Sequence, residues 1–178
     1  MNIRPQKFHK EIEKTISLVV HCCEKKCLNP KPLILHSISV GSKLLEMGES
    51  REVVLAGFLH DLVEDTDCTI GKIEKLFGQE VSDIVESVTQ EKIIDYKKRW
   101  EVLMNKIEKQ GKSAMILKLV DMNENLRYLP FLKTKEEIKN IYWKHNFAMS
   151  RLKPYLKDLE IFDKCKKEYK KMFSELGL

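Results

Sequence analysis

The chain has 178 residues and a net charge of +5, with 43% hydrophobic and 33% charged residues. This balance excludes an intrinsically disordered chain and predicts one globular domain, which we expect to span residues 1–178. The sequence has no apolar run long enough to cross a membrane and no basic stripe with a nucleic-acid motif, so neither partner is expected. No feature of the sequence indicates an oligomeric state.

The N-terminal segment has no apolar signal core, and the five cysteines are typical of reduced thiols, so we expect a cytoplasmic protein. Cys22, Cys23 and Cys27 lie near His21, but no second CxxC pair or distant His pair accompanies them. A structural zinc site is therefore not expected. The basic run Lys164–Phe173 has the pattern of the solvated face of an amphipathic helix.

Apolar residues recur at spacings of three and four along the chain, which predicts an all-α, single-domain helical bundle. The first two helices are expected at about 5–27 and 33–47, with a Pro-rich break between them and a Gly after the second. Ser50 is expected to cap a helix that continues to Thr66. The remaining helices are predicted near 69–77, 80–89, 96–109, 113–128, 135–155 and 158–176.

The stretch LAGFLHDLVEDTD, residues 55–67, places four ionisable groups directly after an apolar run: His60, Asp61, Glu64 and Asp65. On a helix these four groups share one arc of about 140°, with apolar side chains on the opposite side. Ionisable groups so close to a core are usually exposed, paired or bound to a metal.

Two other predicted helices each carry one isolated polar group. His36 lies in PLILHSISVGSKLL and Asp121 lies in MILKLVDMNENL, each with apolar residues on both sides. Taken alone, such a residue is more often hydrogen-bonded in a core, but one shared metal would explain both of them and the His60-Asp61 pair. Two histidines and two aspartates form a nitrogen–oxygen set that suits Mn, Fe, Co or Zn better than Ca.

These residues carry a family resemblance. His36, the pair His60-Asp61 and Asp121 reproduce the H…HD…D pattern of the HD phosphohydrolase superfamily. The stretch HDLVEDTDCTIGKIEKLFGQEVSDIVESVT more narrowly resembles the hydrolase domain of Rel/SpoT enzymes and the small alarmone hydrolases, and PLILH and KLVDMNENL match two further segments of that family. The resemblance covers roughly residues 17–129.

The resemblance implies a hydrolase that removes the 3′-pyrophosphate of guanosine tetra- or pentaphosphate (ppGpp), the alarmone of the stringent response. It implies Mn²⁺ as cofactor, with another divalent transition metal possible, and a small nucleotide as substrate. Since no synthetase segment follows, we expect a hydrolase alone. The implied metal ligands are His36, His60, Asp61 and Asp121, and the implied groups that orient and deprotonate the attacking water are Glu64 and Asp65. The expected substrate-binding residues are Asn125, Lys25, Lys26, Lys92, Arg99 and Tyr142.

The chain departs from the family where the guanine base is bound. The family usually has an Arg that stacks on the base, whereas HCCEKKCLNPKP has Lys25 and Lys26, which lack the flat guanidinium. Leu33 and Ser37 replace an aromatic residue and a Pro on either side of the first metal ligand. Two alternatives therefore stay open: the same chemistry on another nucleotide, such as NADPH or a nucleoside monophosphate, and a non-catalytic nucleotide-sensing domain.

Overall fold

The computed structural model describes residues 3–27, 31–131 and 134–175. Every regular element within these residues is helical, which confirms the all-α prediction. No helix in this part of the chain is long and apolar enough to cross a membrane. Residue contacts divide the chain into two compact units, residues 1–89 and 90–178.

The first unit is built around one central helix. Its helices are, in chain order, α1 (Ile3–Lys25), α2 (Leu33–Glu46), α3 (Arg51–Leu59), α4 (Leu62–Asp65), α5 (Ile70–Phe77) and α6 (Gln79–Val88). Helix α3 contacts α1, α2 and α6, and its residues from Val53 to Leu59 are all buried. A helix that is surrounded by other helices is apolar on every side, as the run VVLAGFL is.

Capping signals in the sequence set several helix ends. The Ser50 hydroxyl accepts a hydrogen bond from the Val53 N–H at 3.4 Å, and the Thr69 hydroxyl accepts one from the Lys72 N–H at 3.3 Å. Gly78 ends α5 with a φ of +97°, in the left-handed region that favours glycine. The predicted starts of α3 and α5 are therefore confirmed.

The helix predicted to continue to Thr66 is interrupted, and that part of the prediction is wrong. Helices α3 and α4 are separated by a turn at His60 and Asp61, where Asp61 has φ −94° and ψ −8°. The His60 ring N–H donates to the Gly57 carbonyl oxygen at 2.8 Å, which is the acceptor that the next residue would use in a continuing helix. The four ionisable groups therefore do not lie along one unbroken helix.

Helices α2 and α3 approach each other at two glycines. A Cβ atom added to Gly41 would lie 2.4 Å from the Phe58 ring, and one added to Gly57 would lie 2.4 Å from the Leu44 side chain. The Cβ atom added to Gly57 would also lie only 3.3 Å from Gly41 Cα. These distances are below van der Waals contact, so the two backbones come together because neither glycine carries a side chain.

The second unit also has a buried central helix. Its helices are α7 (Tyr96–Gln110), α8 (Lys112–Asn125), α9 (Lys135–Leu156) and α10 (Glu160–Glu175), with a 3₁₀ segment (Leu126–Phe131) after α8. Helix α8 contacts α7, α9 and α10, and its residues from Ala114 to Met122 are all buried. Thr134 and Glu137 form a capping box at the start of α9. The helix predicted at 113–128 thus ends as α-helix at Asn125 and continues with tighter 3₁₀ geometry.

We expect Gly41→Ala to lower the free energy of unfolding by about 1–3 kcal/mol, because the added methyl group overlaps the Phe58 ring. Urea denaturation measures this change. Gly71→Ala is the matched control, since the same methyl group in α5 meets nothing within 4 Å. It should leave stability unchanged or raise it by up to about 1 kcal/mol. Equal effects of the two substitutions would contradict a steric role for Gly41.

Candidate metal centre

Three of the predicted ligands lie together in the first unit. The Nε2 atoms of His36 and His60 are 3.2 Å apart. Asp61 Oδ1 lies 3.2 Å from His60 Nε2, and Asp61 Oδ2 lies 3.6 Å from His36 Nε2. Both histidines are buried, and the Asp61 side chain is 13% exposed. Helix α2 and the turn after α3 thus bring two nitrogen donors and one carboxylate together. We call His36, His60 and Asp61 the donor set.

The orientation of the His60 ring fits that of a metal ligand. Its Nδ1 lies 2.8 Å from the Gly57 carbonyl oxygen, which can only accept, so Nδ1 carries the proton and Nε2 carries a lone pair. Metal-ligating histidines commonly donate their other ring N–H to a backbone carbonyl in this way. Two ligand atoms at about 2.1 Å from one ion lie roughly 3 Å apart, which matches the 3.2 Å between the two Nε2 atoms. The donor set therefore fits a divalent transition metal.

Sequence reasoning missed a lysine at this donor set. Lys31 Nζ donates to Asp61 Oδ2 at 2.6 Å, and the two side chains are only 17% and 13% exposed. In the sequence, Lys31 stands in NPKP, a run that indicates only a break between helices. Nothing in the local pattern connects Lys31 with Asp61, so no sequence signal would have revealed the pair.

Glu64 and Asp65 lie in the short helix α4, and both are half-buried. The Asp65 N–H donates to the Asp61 carbonyl oxygen at 3.0 Å, so Asp65 stands one helical turn beyond Asp61. The two carboxylates predicted to activate water therefore lie about one helical turn after His60 and Asp61 along the chain.

In the second unit, Asp121 is buried in α8 and held by two neighbours on the same helix. Lys118 Nζ donates to Asp121 Oδ2 at 2.8 Å, and Asn125 Nδ2 donates to Asp121 Oδ1 at 2.6 Å. Lys118 Nζ also lies 5.1 Å from the centre of the Trp100 ring, and Lys144 Nζ lies 5.2 Å from it. The fourth predicted ligand is thus a carboxylate whose two oxygens both have a fixed partner.

Two of the predicted substrate-binding residues lie at the end of α1, on the surface of the first unit. Lys25 and Lys26 are both exposed. Lys26 Nζ lies 2.8 Å from Asp67 Oδ1, and each side chain of that pair is 49% exposed. Surface ion pairs of this kind contribute little to stability, so Lys26 can change partner at low cost.

The other predicted substrate-binding residues belong to the second unit. Lys92 is exposed, whereas Arg99 is half-buried with its guanidinium 5.8 Å from the centre of the Tyr96 ring. Tyr142 is half-buried in α9 and stacks on Tyr169, with 6.0 Å between the ring centres. Tyr142 is therefore part of an aromatic cluster within this unit.

A family model described as HD domain matches residues 17–144. The chain belongs to the HD domain family. The predicted resemblance to HD phosphohydrolases is thereby confirmed, on residues that include His36, His60, Asp61 and Asp121.

Relatives of this HD domain include alarmone hydrolases. The guanosine-3′,5′-bis(diphosphate) 3′-pyrophosphohydrolase of Aquifex aeolicus (strain VF5) is 35% identical over 109 residues, which are 60% of this chain and 16% of that protein. MESH1 of Drosophila melanogaster, which bears the same enzyme name, is 37% identical over 100 residues, or 55% of this chain and 56% of MESH1. The chain thus spans less than two thirds of the length of these relatives.

The fold comparison agrees with the family. The solved structure of a metazoan orthologue of SpoT that hydrolyses ppGpp superposes with a TM-score of 0.74, at 24% identity, over 94% of this chain and 96% of that chain. The prediction of an all-α fold of the HD type is therefore confirmed.

His145, in the second unit of the HD domain, is buried and stacks on Tyr169 with 5.2 Å between the ring centres. Burial holds the pKa of His145 well below its usual value of 6.5; the charges of Lys144 and Lys118 also lower it, and Asp121 opposes them. His145 is therefore neutral in the folded protein at neutral pH.

Because the pKa of His145 is lower in the folded chain than in the unfolded chain, its contribution to stability is complete above pH 6.5 and is lost as pH falls. Between pH 6.5 and 5.5 we expect the free energy of unfolding of the wild type to fall by up to about 1 kcal/mol more than that of His145→Phe. Urea denaturation at several pH values measures the difference, and parallel profiles for the two proteins would contradict it.

Proposed function

We propose that this HD domain is a metal-dependent hydrolase that removes the 3′-pyrophosphate of ppGpp or of the pentaphosphate. The observation that carries the proposal is the buried pair His36 and His60, whose Nε2 atoms lie 3.2 Å apart beside Asp61. Polar groups buried at one point are usually hydrogen-bonded, paired with an opposite charge or bound to a metal, and a metal would be shared by all three of these side chains. The enzyme name borne by the relatives from Aquifex and Drosophila supports alarmone as the substrate class.

For the cofactor we favour Mn²⁺, with other divalent transition metals compatible with the same donors. The proposed ligands are His36, His60 and Asp61, with Asp121 as the fourth because the family pattern H…HD…D ends at that residue. What supports Asp121 is its burial, and its hydrogen bonds from Lys118 and Asn125, which would orient a ligating carboxylate. When bound, a divalent cation supplies Lewis-acid activation of the phosphoryl group and of water.

Glu64 and Asp65 are the proposed general bases, because they stand about one turn beyond His60 and Asp61. In the reaction, the water oxygen bonds to the phosphorus that is attached to the ribose O3′, and the bond from phosphorus to O3′ breaks. A carboxylate of this pair accepts the proton of the water, and a proton passes to O3′ to give the ribose hydroxyl. The products are pyrophosphate and a nucleoside that keeps its 5′ chain, the 5′-diphosphate from ppGpp or the 5′-triphosphate from the pentaphosphate.

We assign substrate contacts to the six residues that the family resemblance implies. The proposed set is Asn125, Lys25, Lys26, Lys92, Arg99 and Tyr142. Their chemistry suits a substrate that carries two phosphate chains, since four of the six are cationic.

The five cysteines carry thiols rather than disulfides, which supports activity in a reducing compartment such as the cytoplasm.

A second candidate function keeps the chemistry and changes the nucleotide. Lys25 and Lys26 stand where the family places an Arg that stacks on guanine, and both are exposed at the end of α1. An ammonium there can bind phosphate but cannot stack as a guanidinium does, which favours a substrate such as NADPH or a nucleoside monophosphate. A non-catalytic sensor is the least supported hypothesis, because a sensor would not need Glu64 and Asp65, the carboxylates that we assign to water activation.

Asp61→Ala and Glu64→Gln separate metal binding from water activation. Asp61→Ala should weaken Mn²⁺ binding and turnover together, each by about 100-fold or more, because it removes a ligand. Glu64→Gln should keep Mn²⁺ affinity within about threefold and lower turnover by about 10²–10⁴-fold, because it removes only a base. Isothermal titration calorimetry and an assay of pyrophosphate release measure the two quantities. Equal loss of metal in both variants would disprove this division of roles.

The substrate is tested by phosphate and pyrophosphate release from ppGpp, NADPH and nucleoside monophosphates with the Mn²⁺-loaded protein. We expect rapid pyrophosphate release from ppGpp that disappears in Asp61→Ala. Release from one of the other nucleotides alone would replace the alarmone assignment with the second candidate. No release from any of them would overturn both enzymatic proposals.

A further inference from the structure

Lys31 differs from the surface lysines of the first unit in its degree of burial. Its ammonium lies 2.6 Å from Asp61 Oδ2, with side chains that are 17% and 13% exposed. In the ion pair between Lys26 and Asp67, each side chain is 49% exposed. Because water screens this half-buried pair less than the exposed one, Lys31 contributes more to the charge balance of its carboxylate. The ammonium of Lys31 therefore lies beside the donor set rather than on the solvated surface.

The position of Lys31 makes it a competitor of a metal ion. Asp61 Oδ2, which accepts from Lys31, is also the oxygen that lies 3.6 Å from His36 Nε2. A protonated ammonium has no lone pair and cannot be a ligand, yet it takes up the same negative charge that a cation would use. A divalent ion that binds Asp61 Oδ2 therefore competes with Lys31 for the negative charge of that oxygen.

A cation bound at that oxygen would weaken the ion pair, and the Lys31 ammonium beside the site has three donor hydrogens on a flexible four-carbon chain. Such a group suits a phosphate oxygen, which can take any position around a point charge. We propose that Lys31 is a charge-exchange residue, which pairs with Asp61 before the metal binds and with a phosphate oxygen of the substrate afterwards. This inference rests on the proposed function, and it adds to that function a positioning residue that lies outside the family's motifs.

The competing explanation is a purely structural ion pair that holds the segment before α2 against the turn after α3. The two explanations predict different changes in metal affinity when Lys31 is replaced. A structural pair keeps Asp61 in place, so its removal leaves metal affinity unchanged or weakens it. A charge-exchange residue competes with the metal, so its removal strengthens metal affinity.

The experiment is a calorimetric titration of Mn²⁺ into the metal-free full chain, followed by titration of inorganic pyrophosphate into the Mn²⁺-loaded protein. For Lys31→Met we expect the dissociation constant for Mn²⁺ to fall about three- to tenfold and that for pyrophosphate to rise by a similar factor. Lys43→Met is the matched control, because it removes the same charge from an ion pair with Glu46 on the surface of α2. It should change neither constant by more than about twofold.

Lys31→Arg keeps the positive charge and guards against a loss of folding in Lys31→Met. We expect it to keep both constants within about threefold of the wild type. Unchanged or weaker Mn²⁺ binding in Lys31→Met would overturn the proposal, and so would unchanged pyrophosphate binding. Neither titration requires turnover, so a protein that shows both shifts yet does not hydrolyse ppGpp would disprove the proposed substrate and leave the role of Lys31 intact.

Discussion

The close contact between α2 and α3 at Gly41 and Gly57 is the constraint from which the donor set follows. His36 lies before Gly41 on one helix and His60 lies after Gly57 on the other, so the approach of the two backbones sets the 3.2 Å between their Nε2 atoms. A side chain at either glycine would have to displace Phe58 or Leu44. Because protein cores transmit such displacements rather than absorb them, an apolar contact controls the geometry of the polar site.

The break after α3 coincides with a hydrogen bond to the backbone of Gly57. The Gly57 carbonyl oxygen accepts the ring N–H of His60, and this one hydrogen bond fixes the tautomer of His60 at the point where the helix ends. Adjacent residues on a continuous helix point about 100° apart. In the turn, His60 Nε2 and Asp61 Oδ1 lie 3.2 Å from each other. The interruption therefore lets two neighbouring residues serve one site.

The sequence predicts what depends on local pattern. Helical periodicity and the caps at Ser50 and Thr69 define the elements, and the contact of Asn125 with Asp121 is implicit in their i, i+4 spacing. The break at His60 could not be predicted, because the apolar period is the same on both sides of it and the hydrogen bond from the His60 ring to the Gly57 carbonyl leaves no trace in that pattern. The pairing of Lys31 with Asp61 joins segments that are 30 residues apart in the chain, so tertiary structure alone reveals it.

Each of the two aspartates of the proposed ligand set is paired with a lysine. Lys31 holds Asp61 in the first unit, and Lys118 holds Asp121 in the second. Each unit thus neutralises its own carboxylate, which is half-buried at Asp61 and buried at Asp121, and a metal ion is not required to offset that charge during folding. The same arrangement weakens metal binding, since an incoming cation competes with an ammonium for each aspartate. It also leaves positive charge next to a site whose proposed substrate is a polyanion, where electrostatic attraction favours both the binding and the orientation of phosphate groups.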